Sequence, residues 1–552
     1  MSRFFETINI ERHGTAIIFF LGVALLLPCI WCETSITGQD EYWLSFRTPM
    51  ETMERGAWLT TWVNEEPRLK KPPLLYWAIL TGYKFFGINL FAARIWAVLA
   101  GAGLAVCSCL LYKRLFEKSG LLAGLMTLAT VAVAIEGRRA MLDLPLAFFT
   151  CMSVYFALNW IGSGYLRWIL LAGLSLGLSF MTKGPLGFVF FGAAAISAIL
   201  VFGKWRFAFS HRSQAAWAFV LLLAICLPWP ILMAFKWPEY ISIIHGEMAE
   251  RSLGTVHFGS PVSALGKALV LVLPWSPVLV AALIHSVYHA RQGKGRENLW
   301  LAVWFLASTL PCFIMQCFSR YMMPIIPAAC VLCAYWIEET DGKWKTRLIG
   351  ISIGLIVFAG IFFCLFFIWF GLDSLMALLC LLIAGLVIWT TFVRKDNRMA
   401  VLTVAIFIAF LIGGLYPSLG INAMPVDLDR IVGFHQVASF DSSQPSMLSM
   451  RLKRSVIRIR SFDKKDIGLL EHFNGFVFMR ETDARGFEKL AGQLDIHYVM
   501  AGQFKTFWSR QAWLRFARKD ADYDDWKEAI RTRSLANLKS GICYYRVRPQ
   551  PD

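Results

Sequence analysis

Apolar residues come in runs of about 20, separated by short charged clusters, from near the N-terminus to about residue 418. A helix needs about that length to cross a bilayer, so the pattern predicts membrane spans. The runs lie near 14–32, 91–112, 120–136, 144–162, 168–182, 184–202, 213–235, 263–287, 298–317, 321–338, 348–370, 373–393 and 399–417, which predicts about 13 transmembrane helices. Residues 74–87 are too short to cross comfortably and are expected to lie in the interface or to re-enter. The first run ends in Ile30-Trp31-Cys32-Glu33, without a small-residue cleavage pattern, and reads as an uncleaved span with its N-terminus inside. From about 430 onward, short apolar stretches at 475–479, 496–501 and 542–547 alternate with polar, helical ones, as in a small α/β domain. The expected architecture is a polytopic α-helical membrane domain over residues 1–420, followed by a water-exposed α/β domain over 421–552.

Loop charges give the expected sidedness. With the N-terminus inside, the inner loops receive Lys113-Arg114, Arg167, Lys204, Arg206, Arg212, Arg291, Lys294, Arg296, Lys343, Lys345, Arg347, Arg394, Lys395 and Arg398, as the positive-inside rule requires. The opposite face receives the loop 33–73, the turns at Arg138-Arg139 and Lys183, the loop 236–262, the Arg320 turn and the tail. Asp40, Glu41, Lys71, Arg139, Asp143, Lys183, Glu247, Arg251 and Arg320 therefore share one side. Ionisable groups at span edges are costly unless they pair or line a wet cavity, so their convergence predicts a single polar site. Snorkelling accounts for Arg138 or Lys236 taken singly, but not for Asp143, whose short side chain sits between Leu142 and Leu144.

Composition narrows the class. A chain that is 57% hydrophobic and 16% charged is no soluble enzyme. Its net charge of +17 is spread over short loops and the tail, which suits an anionic membrane surface and argues against nucleic acid. Most of the 13 cysteines lie inside apolar runs as small hydrophobes, and the pair Cys29/Cys32 reads as structural.

The most informative text is the first outer loop, with Asp40-Glu41 just after the first span and Lys70-Lys71-Pro72-Pro73-Leu74-Leu75-Tyr76-Trp77 at its end. Two prolines hold Lys71 on a stiff backbone at the membrane edge, where a fixed ammonium suits a phosphate. Asp40 and Glu41 are candidates for accepting a proton or orienting an acceptor, although such a pair is commonly plain solvated loop. His245 and His257 flank Glu247 without matching a standard zinc spacing.

Together with Arg139 ahead of Asp143-Leu-Pro-Leu-Ala-Phe-Phe, with Thr182-Lys183-Gly184-Pro185 and with Glu247-x-x-x-Arg251, these segments resemble the GT-C glycosyltransferases of the lipid A aminoarabinose transferase and protein O-mannosyltransferase type. The resemblance covers roughly residues 10–340. It implies a GT-C membrane fold and an inverting transfer from a polyprenyl-phosphate sugar at the outer face of a bacterial inner membrane, the active site and C-terminal domain facing the periplasm. It further implies Asp40 and Asp143 as the key acids and Lys71 as the phosphate-contacting lysine. Lys183 and Arg251 would be cationic lining, and Glu41, Arg139, Glu247 and Arg320 are expected to contact substrate. Lys70 and Met248 replace family residues associated with a metal, so neither a metal nor a cofactor is expected. The implied partners are a lipid-linked sugar donor, membrane lipids and a glycolipid acceptor such as lipid A or lipopolysaccharide core. A protein acceptor is the alternative within this class. A transporter is the alternative outside it, but transporters place their polar site near the midplane between repeated halves.

Overall fold

The computed structural model describes residues 10–251, 259–315, 317–440, 447–461, 463, 467–468, 470, 472–508 and 516–548. Among them, seven helices are long and apolar enough to cross a membrane: Leu90–Phe116, Asp143–Ser163, Arg212–Lys236, Ser319–Glu339, Lys343–Trp369, Ser374–Val393 and Asn397–Leu419. An eighth span is made if Pro261–Leu271 and Ser276–Arg291, bent by 115°, are taken as one. The chain is a multi-pass membrane protein.

Fewer than the 13 or so expected runs form helices of that length among the described residues, because several apolar runs fold as short or broken helices. The run at 14–32 is helical only to Leu26, and Leu186–Phe202 has 17 residues. The run at 298–317 stops as a long helix at Ala307. The run at 120–136 divides into Leu121–Leu128 and Val131–Glu136. Hydropathy counts apolar residues but is blind to backbone breaks, which a membrane protein tolerates where protein groups take up the freed hydrogen bonds. Here two breaks meet. The N–H of Val131 donates to the Leu273 carbonyl at 2.9 Å, and Trp275 Nε1 donates to the Met126 carbonyl at 2.9 Å. The second break contains Pro274, which has no N–H to continue a helix.

Residues 74–87 form the 13-residue helix Leu74–Phe86, about 20 Å long and thus short of the hydrocarbon thickness. It packs tightly on Leu90–Phe116. A Cβ placed on Gly82 would stand 2.5 Å from the Ala92 carbonyl oxygen. Its N-terminal approach is shaped by a hairpin, β1 (Trp62–Val63) against β2 (Glu66–Pro67), turned by Asn64 and Glu65 at φ 54° and 65°. Successive positive φ values are those of the tight turn that matches strand twist.

The bundle has two polar ends. At one, Glu338 pairs with Tyr112 and Arg398, and Lys118 pairs with Glu339, so three expected inner loops meet. At the other lie Asp40, Lys71, Asp143, Lys183 and Arg320. After Leu419 the chain builds a five-stranded sheet from β3 (Gln436–Phe440), β4 (Ile457–Ile459), β5 (Gly475–Arg480), β6 (His497–Thr506) and β7 (Ser540–Arg548), in the order β4-β3-β5-β7-β6. β3 is parallel to β4 and β5, whereas β7 is antiparallel to β5 and β6. Phe487 and Ala491 of the helix Glu481–Gln493 bury against Phe440, Tyr498 and Tyr545. This layer is tied to the end that carries Asp40. Arg451 meets both oxygens of Glu33 at 3.0 Å, and Met447 and Met450 pack with Tyr42, Phe46 and Tyr83.

Candidate active site

The loop after the first helix folds into a nearly continuous helical stretch over residues 39–54. Its first acid pair divides the labour. Glu41 is fully buried: Oε1 accepts from Arg94 Nε at 2.9 Å and from the Ala140 N–H at 2.8 Å, and Arg139 Nε lies 3.8 Å from its Oε2. Arg94, inside the span Leu90–Phe116, also donates to the Ile30 and Cys32 carbonyls and to Thr37 Oγ1. Arg139 is held by Glu136 at 2.6 Å. Glu41 and Arg139, both expected to touch substrate, are buried and fasten the loop to the bundle. Arg138 does not snorkel: it is buried and donates to the Ala134, Leu25 and Ala409 carbonyls.

Asp40 points the other way. Its side chain is 54% exposed and accepts from Arg320 Nη2 at 2.5 Å. Arg320, at the start of the turn Ser319–Ile325, also lies 3.6 Å from Asp143 Oδ2 through its Nε. Asp143 is fully buried at the first turn of Asp143–Ser163 and pairs with Lys183, the last residue of Leu166–Lys183. A carboxylate at a helix start and an ammonium at a helix end each sit favourably in the helix dipole. Gly184, at φ 79°, lets the chain turn away behind Lys183. The ammonium of Lys183 also stands 3.7 Å from the centre of the Tyr321 ring.

Lys71 follows the hairpin, ahead of the two prolines that open Leu74–Phe86, and pairs with Glu247 of Tyr240–Arg251. Lys71 is close enough to act electrostatically on Lys183, as Arg320 is on Glu136 and Asp143. The structure thus joins Asp40, Lys71, Asp143, Lys183, Glu247 and Arg320 in one field, with Glu41, Arg139, Glu136 and Arg94 as its buried backing. The side chain of Arg251 and all of His257 fall outside the described residues. Arg94, Glu136 and Tyr321 were not foreseen; an arginine a few residues into an apolar run signals a buried partner.

An apolar cleft of about 300 Å³ opens beside this field, lined by Leu74, Trp77, Leu178, Met181, Trp229 and Leu232 among others. Where the family's metal-associated residues would stand, Lys70 and Met248 are exposed and offer no ligand. Among the described residues no group of three or more His, Cys, Asp or Glu is placed to hold a metal.

The structure matches that of ArnT from Cupriavidus metallidurans bound to undecaprenyl phosphate, with a TM-score of 0.70 over 96% of this chain and 98% of that one at 17% identity. The chain has the GT-C fold. The resemblance read from the motifs is borne out with it. Residues 70–232 match the family described as dolichyl-phosphate-mannose-protein mannosyltransferase. An undecaprenyl phosphate-alpha-4-amino-4-deoxy-L-arabinose arabinosyl transferase of Pseudomonas aeruginosa is 30% identical over 288 residues, 48% of this chain and 50% of that protein. The enzyme of the same name from Edwardsiella ictaluri is 26% identical over 335 residues, 56% of this chain and 57% of that protein. The chain thus spans about half the length of the curated GT-C relatives it matches.

Proposed function

We propose that the chain is an inverting glycosyltransferase that moves a sugar from undecaprenyl phosphate, or a similar polyprenyl phosphate, to a glycolipid of the lipid A or lipopolysaccharide-core type. We further propose that residues 1–420 form the catalytic membrane unit and 421–552 a soluble unit. The protein would lie in a bacterial inner membrane with its site facing the periplasm. The observation that carries this reading is the half-exposed Asp40 carboxylate held by Arg320 beside the buried Asp143–Lys183 pair. The names of the relatives support the donor class.

In a single displacement the acceptor oxygen attacks the anomeric carbon, the new glycosidic bond forms, and the bond to the lipid phosphate breaks with its electron pair leaving on the phosphate. The configuration inverts. Lys71, Lys183 and Arg320 supply positive charge to the departing phosphate, which is where electrostatic stabilisation acts most strongly. Each cation is paired with a carboxylate beforehand, so phosphate entry at Lys71 and Arg320 would release Glu247 and Asp40. A released Asp40 would take the proton of an acceptor hydroxyl, or position an acceptor that is already an anionic phosphate. Asp143, closed off from solvent, would keep Lys183 and Arg320 in place. The apolar cleft beside Lys71 and Lys183 offers the prenyl chain a dry surface.

The test is to incubate the purified protein with undecaprenyl-phosphate aminoarabinose and lipid A and identify the product by mass spectrometry. Transfer by the wild type, and its loss in Asp40→Ala and Lys71→Ala with the fold intact, is the expected result. Wild-type activity in both variants would remove the site assignment. Modified secreted proteins in place of modified lipid A would move the acceptor to protein.

A further inference from the structure

A second polar cavity, of about 610 Å³, lies on the seam between the first outer loop and the sheet that follows Leu419. One wall is the loop itself, with Arg47, Glu51, Glu54, Arg55, Asn64 and Glu65; the other is the stretch Ser455 to Arg460 along the edge strand β4. Its volume falls within the range of small-molecule sites. Its cations are held in place from both walls. Arg47 is only 4% exposed and paired with Glu51. Arg55 and Arg458 are oriented by stacking on Trp62 and Trp43, with guanidinium carbons 4.5 Å from the ring centres.

The lining decides the ligand class. Four arginines, Arg47, Arg55, Arg458 and Arg460, suit phosphate, which a guanidinium fork binds with two parallel hydrogen bonds. Three carboxylates, Glu51, Glu54 and Glu65, would repel a compact polyanion but accept hydrogen bonds from hydroxyls and amines. A phosphorylated sugar satisfies both sets, whereas a bare anion or a neutral sugar satisfies one. We propose that this cavity binds the phosphorylated saccharide headgroup of the acceptor. The inference rests on the transferase reading for the acceptor's class, and the loop that carries Asp40 at its start forms the cavity wall farther along.

Binding is measured without turnover, so this proposal and the transferase reading fail separately. The full-length protein in detergent is titrated by calorimetry with a deacylated, bisphosphorylated glucosamine disaccharide, with the same disaccharide lacking phosphates, and with inorganic phosphate. The bisphosphorylated disaccharide is expected to bind at least about tenfold more tightly than either control. Arg55→Ala and Arg458→Ala, one on each wall, are each expected to weaken it about tenfold while the melting temperature is retained. Should either fail to fold, Arg460→Ala takes its place. No binding of the disaccharide, equal binding of inorganic phosphate, or unchanged affinity in a folded variant of either wall overturns the proposal.

Discussion

Asp40 and Glu41 are neighbours in the chain and opposites in circumstance. One faces open space across from Arg320, and the other is sealed beneath the loop by Arg94. Losing a half-exposed pair costs little stability, so Asp40→Asn should melt within about 1 kcal/mol of wild type while transfer falls by about 10²-fold or more. Asp143 should behave in the reverse order. Asp143→Ala leaves the Lys183 ammonium buried without its partner, an event that costs about 3–5 kcal/mol. Thermal unfolding in detergent should show the loss, and the double variant Asp143→Leu/Lys183→Met should recover most of it, since a well-packed apolar pair replaces the charges. The sequence made the acids and cations at span ends legible, because each interrupts an apolar run. It did not separate Asp40 from Glu41, since burial is set by partners such as Arg94 and Glu136 that lie far along the chain or look like isolated charges.

Helices here are short where the bundle can afford breaks and close-packed where the site needs fixed geometry. Gly82 is the tightest instance along the arm that carries Lys71. Gly82→Ala would push the helix Leu74–Phe86 off Leu90–Phe116, with an overpacking cost of about 1–3 kcal/mol. Because Lys71 leads into that helix, donor KM should rise in the variant; an unchanged KM would show that the lysine is positioned from elsewhere. Span positions followed from hydropathy over 91–112, 144–162, 348–370 and 373–393, where helices are long. Hydropathy did not show the breaks inside 120–136 and 263–287, where the Val131 N–H donates to the Leu273 carbonyl. No local pattern could show that, because the two partners are more than a hundred residues apart.

At the scale of the molecule, the two polar ends make a prediction about sidedness. Cysteines introduced at Lys70 and at Lys118, both exposed, should react with an impermeant thiol reagent from opposite faces of sealed vesicles. Reaction from the same face would break the argument that the site and the basic loops lie at opposite ends. The contacts of Arg451 with Glu33, and of Phe516 with Phe363 and Phe366, bind the sheet to the bundle at separate points. Another trait belongs to the rim: of the most apolar stretch of Arg212–Lys236 only 22% is buried, and of those in Lys343–Trp369 and Ser374–Val393 only 33%. Among the described residues little protein covers these outward flanks, and apolar surface of that kind on a spanning helix suits packing against fatty acyl chains. Reconstitution into vesicles of graded acyl length should therefore tune turnover, with a maximum where the oily slab matches these flanks and a decline on either side.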